Sequence, residues 1–444
     1  MRSARNRELF ALVPVAMLLT AGFAAVFAQE NTKLGNLSLT YGAYFLAICL
    51  ATHVFLRIRL PNADPYLFPL MATLTALGLV MIYRIDETLA RDQANWFVLG
   101  LVLFALTIYF LRDYEVLERY RYTIAVVGLL VLLAPRLPGI GQQVNGAYLG
   151  VKIGPLAFQP AEFTKLAIVV FLASYLREHR EVLIVGARRV LGVTLPPLKH
   201  FGPMLVVWGA SMFMLVFIRD LGSSLMFFAA FLALLYVATG RFSFVVIGMA
   251  MFLVGAWFFA STVPHVHDRV EIWLHPYEEA QGNGYQILNS IFSQADGGLF
   301  GKGFGQALIT IPGTKSSLLP AAETDTIYAL IVNELGLFGA CGLILVYLLI
   351  TARGFKVALL ASDGFSKLLA TGLTAVFAIQ AFVIIGGVTR VIPLTGVTLP
   401  FVSYGGSSIV ANFVLLALLL LVSDRARREA DETVGRAVPM RAAA

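Results

Sequence analysis

Residues 319–354 read LPAAETDTIYALIVNELGLFGACGLILVYLLITARG. A polar stretch ending at Asp325 runs into a long apolar segment that carries one charged side chain, Glu334, and stops at Arg353. Crossing roughly 30 Å of hydrocarbon takes about 20 apolar residues in a helix, which this segment supplies. The pattern recurs near 8–28, 38–56, 66–83, 94–111, 121–135, 161–176, 201–218, 221–240, 243–262, 366–387 and 407–423. Only 13% of the 444 residues are charged and 59% are apolar, whereas a soluble domain carries about a quarter charged residues. The expected fold class is all-α, a polytopic transmembrane protein of about 12 helices.

Basic residues set the orientation. With the N-terminus in the cytoplasm, Arg57, Arg59, Arg112, Arg119, Arg121, Arg177, Arg180, Arg188, Arg189, Arg353 and the Arg425–Arg428 group all fall inside. The positive-inside rule then puts both termini in the cytoplasm. The net charge of +7 is accordingly read as a topology and anionic-lipid signal, with no nucleic acid as partner. The first segment follows Arg2, Arg5 and Arg7 without a clean small-residue cleavage site, so it reads as a retained helix. Cys49 and Cys341 lie in apolar stretches and read as small buried residues, not as a disulfide or a zinc site.

This orientation sends three long segments outward: 136–160, 263–324 and 388–406. The inner loops are mostly short and basic. Loop 297–305, GGLFGKGFG, lacks the Gly-x4-Gly-Lys-Ser/Thr spacing of a phosphate loop and follows no strand. No nucleotide is expected. The last outer loop, IPLTGVTLPFVSYGGSS at 392–408, is rich in turn-forming Pro and Gly. Irregular backbone survives at membrane depth only when buried in protein or lining a watery cavity, so a re-entrant loop is expected here.

Ionisable groups within spans cost at least a few kcal/mol unless paired or facing water, and so mark candidate sites. Glu162 and Lys165 stand three apart at a helix start, where they can pair. Asp220 follows Arg219 between two apolar runs, and Glu334 sits beside Asn333. Hydrogen-bonded helix contacts and direct work on a substrate both fit these residues. Asp325 stands at the mouth of a long helix, where capping is the simpler reading on spacing alone. Nine residues separate it from Glu334, half a turn out of phase, so the two carboxylates are not expected to act as a pair.

Several segments, in this order, resemble one known family. FQPAEFTKL at 158–166 is similar to its Gln-Pro-Ser-Glu segment, with Ala161 in the serine place. RDLGSS at 219–224 resembles Pro-Asp-Leu-Gly, with Arg219 for proline. GYQILNS at 284–290, GGLFGKGFG, LPAAETDTIYALIVNELGLFG at 319–339 and PLTGVTLPFVSYGGSS at 393–408 follow in register. Together they resemble the SEDS proteins (shape, elongation, division and sporulation), the RodA/FtsW-like group, with the elongation-type RodA subgroup as a candidate. The chain departs from the family after Asn145–Gly146–Ala147, where Tyr148 to Gly150 replace Arg and Trp, and at Arg390, where many members carry Gly.

The resemblance covers about 66–424 and implies a division of the chain: extra N-terminal helices at 1–65, a transmembrane core at 66–424 with its large outer loop at 263–324, and a disordered cytoplasmic tail at 425–444. It implies a peptidoglycan glycosyltransferase of the bacterial cytoplasmic membrane, polymerising lipid II on the outer face with Asp325 as general base. The acceptor is a sugar 4-hydroxyl, the donor an undecaprenyl pyrophosphate-linked glycan, and the anomeric carbon inverts. Cations for the leaving pyrophosphate are sought among Lys302, Lys315, Arg269 and Arg390, with Lys165 in the cavity. Glu162, Asp220, Glu334, Ser403, Tyr404 and Gly405 are substrate-binding or supporting positions. A divalent cation, Mg²⁺ or Mn²⁺, is admitted without a ligand cluster of diagnostic spacing. The implied partners are a class B penicillin-binding transpeptidase and membrane lipids. A lipid II flippase and a noncatalytic scaffold are the rival readings.

Overall fold

The computed structural model describes residues 2–30, 36–144, 147–153, 156–185, 188–190, 193–195, 202, 205, 208, 209, 212, 217, 220–282, 284–310 and 317–442. Among them, nine helices are long and apolar enough to cross a membrane. These are α1 (Arg2–Glu30), α2 (Asn36–Arg59), α3 (Leu67–Ile85), α4 (Glu87–Phe110), α8 (Leu221–Thr239), α9 (Phe242–Thr262), α12 (Ile327–Leu360), α13 (Gly364–Val388) and α14 (Gly406–Ala442). The short α5 (Val116–Arg119) precedes α6 (Arg121–Leu133), and α7 (Pro160–Val185) follows; α6 and α7 occupy two more of the expected spans. The span expected at 201–218 falls mostly outside the described residues, as does Arg219. Helices α10 (Pro264–Leu274) and α11 (Tyr285–Gly297) belong to the large loop. The chain is an all-α, multi-pass membrane protein.

Aspartates start several of the spans. Asp86 accepts from the amides of Thr88 and Leu89 at 2.7 and 3.3 Å at the head of α4, and Asp363 from Ser366 at 2.8 Å at the head of α13. Each satisfies backbone donors that the first turn of a helix leaves without partners. The apolar faces then sort by depth. On α9, Phe242, Met251 and Trp257 are 67%, 62% and 73% exposed, a surface suited to hydrocarbon or to another protein's apolar face. Helices α13 and α14 are instead enclosed, with Phe377, Leu415 and Leu420 at 1% exposure or less. Helix α14 packs along α4, and α13 along α12 and α8.

The end of the bundle opposite Asp325 gathers the basic residues. Arg353 reaches Asp64 at 3.4 Å, Arg427 pairs with the same carboxylate, and Arg425 meets Glu115 at 2.7 Å. One expectation is corrected, the burial of Cys341. Helix α14 runs past Asp424 to Ala442; Ala, Arg and Glu favour helix, and Arg425 and Glu429 pair four residues apart. Cys341 is exposed, on a face of α12 turned away from the core, whereas Cys49 is buried. Segment 136–160 holds a small antiparallel sheet, β1 (Gly141–Val144), β2 (Ala147–Ile153) and β3 (Leu156–Phe158), in the order β1-β2-β3. Its alternation was hidden by its length. A second pair, β4 (Arg188–Val190) and β5 (Val193–Leu195), follows α7.

Candidate active site

The last loop between spans, 389–405, descends into the bundle. Gly78 stands about two turns inside the end of α3, and a Cβ there would lie 2.6 Å from the Val402 carbonyl. Tyr347, deep in α12, donates to the Pro400 carbonyl at 2.7 Å. Phe401 packs edge-on against Phe413 of α14, with centroids 5.0 Å apart. The loop is therefore irregular backbone at span depth, enclosed by protein, a setting where such backbone is tolerated.

This loop is bonded to the turn that carries Asp325. The Ser403 hydroxyl donates to the Thr324 carbonyl at 2.7 Å and accepts from the Leu399 amide at 2.9 Å. The Tyr404 amide donates to the Glu323 carbonyl at 2.7 Å. Among the described residues, the non-glycine positions with positive φ are Ala321, Arg390 and Phe401, at 53°, 61° and 65°. All three belong to these two segments. Such conformations cost on the order of 1–3 kcal/mol each and persist where surroundings over-determine them, a mark of functional sites.

Asp325 is half-buried and is not the helix cap. The N-cap of α12 is Thr326, without a side-chain capping bond. Burial pushes the Asp325 carboxyl up to about 6; Arg269 of α10 opposes that rise, Glu323 adds to it, and a hydrogen bond with Thr324 lowers it. Arg269 donates to the Leu394 carbonyl at 2.7 Å, which fixes it over the same loop. Its charge also reaches Asp220, which caps α8 by accepting from the Ser223 amide at 3.0 Å and pairing with its hydroxyl at 2.7 Å. Burial raises the Asp220 carboxyl as well. One arginine thus serves two carboxyls from different helices.

The other candidates have structural occupations. Lys165, 1% exposed, donates to Glu162 at 2.5 Å, Gln380 at 2.7 Å and Asn412 at 3.4 Å. Gln380 in turn donates to the Thr398 carbonyl at 3.0 Å, so this closed network props the last loop from below. Glu334 accepts from Arg84 at 3.0 Å, and Arg84 also donates to the Ala307 carbonyl at 2.6 Å. Glu334, inside α12, and Asp325, in the turn before it, therefore have separate partners. Lys302 pairs with Asp296. The Arg390 guanidinium donates to the carbonyls of Trp273 and Leu274 at 2.7 and 2.8 Å, clamping the C-terminus of α10, the helix that carries Arg269. Lys315 lies outside the described residues.

The glycine-rich GGLFGKGFG segment docks into a break in α12. Gly336 there has φ 68°, and a Cβ on it would lie 2.3 Å from the Gly301 nitrogen; one on Gly301 would lie 2.2 Å from the Glu334 carbonyl oxygen. Close backbone approach explains these glycines without a phosphate. Sequence spacing does not single out Gln380 or Asn412. The available signal is a lone carboxamide inside an apolar helix. Among the described residues, no cluster of three or more His, Cys, Asp or Glu could hold a metal ion.

Residues 65–428 match the family model described as a cell cycle protein of the FtsW, RodA and SpoVE group. The chain belongs to this family. It is 39% identical over 435 residues to peptidoglycan glycosyltransferase RodA of Mycobacterium tuberculosis strain H37Rv, covering 96% of this chain and 91% of that protein. It is 31% identical over 379 residues to stage V sporulation protein E of Bacillus subtilis, covering 82% and 98%. Among solved structures, it resembles a chain of a peptidoglycan synthase complex that coordinates polymerization and crosslinking (TM-score 0.66, 27% identity, 82% of this chain and 98% of that one). It also resembles the crystal structure of Thermus thermophilus RodA (TM-score 0.59, 25% identity, 82% and 97%). Relatives at 38–39% identity carry the name RodA and those at 28–31% are SpoVE or FtsW, which favours the RodA subgroup.

Proposed function

We propose that this family member is a peptidoglycan glycosyltransferase of the elongation type, joining lipid II units into glycan strands at the outer leaflet. The observation that carries the reading is Asp325: a half-buried carboxylate, free of capping duty, beside an arginine and against a strained loop. A base titrating near 6 is largely ionised at neutral pH yet still basic enough to take a proton, which is the useful range for general-base catalysis.

In the step assigned to it, the acceptor 4-hydroxyl passes its proton to Asp325. Its oxygen forms the new bond to the donor anomeric carbon from the face opposite the pyrophosphate. The bond to the pyrophosphate oxygen breaks with its electron pair, giving inversion and undecaprenyl pyrophosphate. Arg269 is the cation best situated to offset the negative charge that develops on the leaving group. Arg390 and Lys165 act through position, the first holding α10 and the second holding the last loop. Ser403, Tyr404 and Gly405 fix the loop against the Asp325 turn.

An apolar groove of about 500 Å³ between α8 and α9, lined by Leu225, Phe228, Leu232, Tyr236 and Met249, suits the isoprenoid chain. It runs along the helix whose N-terminus is Asp220. Mg²⁺ or Mn²⁺ would accompany the pyrophosphate with few protein ligands. No nucleotide takes part. The proposed partner is a class B penicillin-binding transpeptidase, as the synthase-complex neighbour suggests. Both termini are cytoplasmic in this reading and the Asp325 end faces outward. The chain copurified with its transpeptidase should convert lipid II into polymer. No polymer, together with lipid II scrambling in proteoliposomes, would select the flippase reading; neither activity would select the scaffold.

A further inference from the structure

Gln93 of α4 is 1% exposed, and both ends of its carboxamide bond to one loop. Nε2 donates to the Ser403 carbonyl at 3.2 Å, and Oε1 accepts from the Gly405 amide at 3.1 Å. Residues 403 and 404, gripped in this way, are the ones that bond to the carbonyls of Thr324 and Glu323. Hydrogen bonds therefore run without a gap from α4, through the last loop, to the two residues preceding Asp325. The loop needs such a hold, because Phe401, at φ 65°, occupies a conformation that L side chains rarely adopt. Trp96, one turn after Gln93, closes the other side: a Cβ on Gly406 would lie 2.3 Å from its ring.

We propose that Gln93 is a positioning residue for the glycosyl transfer, locking residues 403–405 so that the Asp325 turn keeps its place. The inference rests on the glycosyltransferase reading. Gln93 touches neither substrate nor reacting atoms; it acts through Ser403 and Tyr404. Misplacing a catalytic group by about 1 Å costs on the order of 100-fold in rate, so a loosened clamp should lower turnover while leaving substrate binding nearly intact. It should also alter the surroundings in which Asp325 titrates. The groups facing that carboxylate are Arg269 from α10, Glu323 and the Thr324 hydroxyl from its own turn, with Asp220 of α8 sharing Arg269. Asp92, beside Gln93, faces Tyr404.

Gln93→Met keeps the volume and removes both bonds. In the complex with its transpeptidase, polymerising lipid II, the variant is expected to show kcat lowered at least tenfold. KM should stay within about threefold, and the acid limb of the kcat profile should move by at least half a pH unit. A folded variant with wild-type kcat and acid limb overturns the proposal. A lowered kcat with an unmoved acid limb also overturns it, because simple loss of active protein does that. Should Gln93→Met fail to fold, Gln93→Glu keeps the acceptor for Gly405 and loses the donor to Ser403; wild-type behaviour there is the contradicting result. A wild type that makes no polymer sinks the glycosyltransferase reading instead. Hydrogen exchange then decides the clamp: the amides of Ser403, Tyr404 and Gly405 should exchange at least tenfold faster in Gln93→Met, and unchanged protection contradicts it.

Discussion

Asp325 holds its charge at a cost. Burial outweighs the help of Arg269 and pushes the carboxyl up to about 6. For an acid whose folded pKa is raised, the ionised form destabilises the fold: the penalty is absent below the ordinary value of 3.8 and fully present above about 6. Asp325→Asn is therefore expected to raise the thermal midpoint at pH 8 and to match wild type at pH 4, as read by fluorimetry in detergent. Equal midpoints at pH 8 would mean that the carboxylate is more solvated than its surroundings imply. Arg269→Ala should move the acid limb of turnover to higher pH, because the charge that favours ionised Asp325 is gone. On spacing alone Asp325 reads as a helix cap, and its role as a base comes only from the family resemblance. Arg269 was one cation among several, since its approach to Asp325 depends on α10 folding back over a loop more than a hundred residues later in the chain.

Elements explain what single residues do not. The glycine-rich segment and the broken helix α12 fit as backbone against backbone, so Gly301→Ala should destabilise by about 2–5 kcal/mol, combining a left-handed strain with forced overpacking. A midpoint within a degree of wild type would contradict that packing. Glu162 and Lys165 were legible as a pair from their spacing; Gln380 and Asn412, which complete the network, come from α13 and α14 and have no local signal. Lys165→Met leaves Glu162 buried without its cation and should cost about 3–5 kcal/mol. Adding Glu162→Gln should recover part of the loss, and strict additivity of the two would argue against a coupled network.

At the scale of the whole molecule, the apolar runs mark the spans, and the distribution of arginine sets the expected direction. They leave open which helix neighbours which, because lateral packing depends on long-range contacts such as α14 along α4. The small sheet at 141–158 has no such signal in the sequence, because short strands lack an apolar stripe long enough to register. Direction can be checked separately. In a background lacking Cys49 and Cys341, Thr310→Cys should label with an impermeant thiol reagent applied to intact cells, and Leu360→Cys should not. The reverse pattern would put Asp325 on the cytoplasmic side.

The most direct test of the central claim is the pH dependence of lipid II polymerisation by the transpeptidase complex, wild type against Asp325→Asn. The wild-type rate should climb through about pH 6 to a plateau as Asp325 ionises. The Asn variant should run 10²–10⁴-fold slower without that limb. An Asn variant that polymerises at the wild-type rate, with the same acid limb, would contradict a base at Asp325.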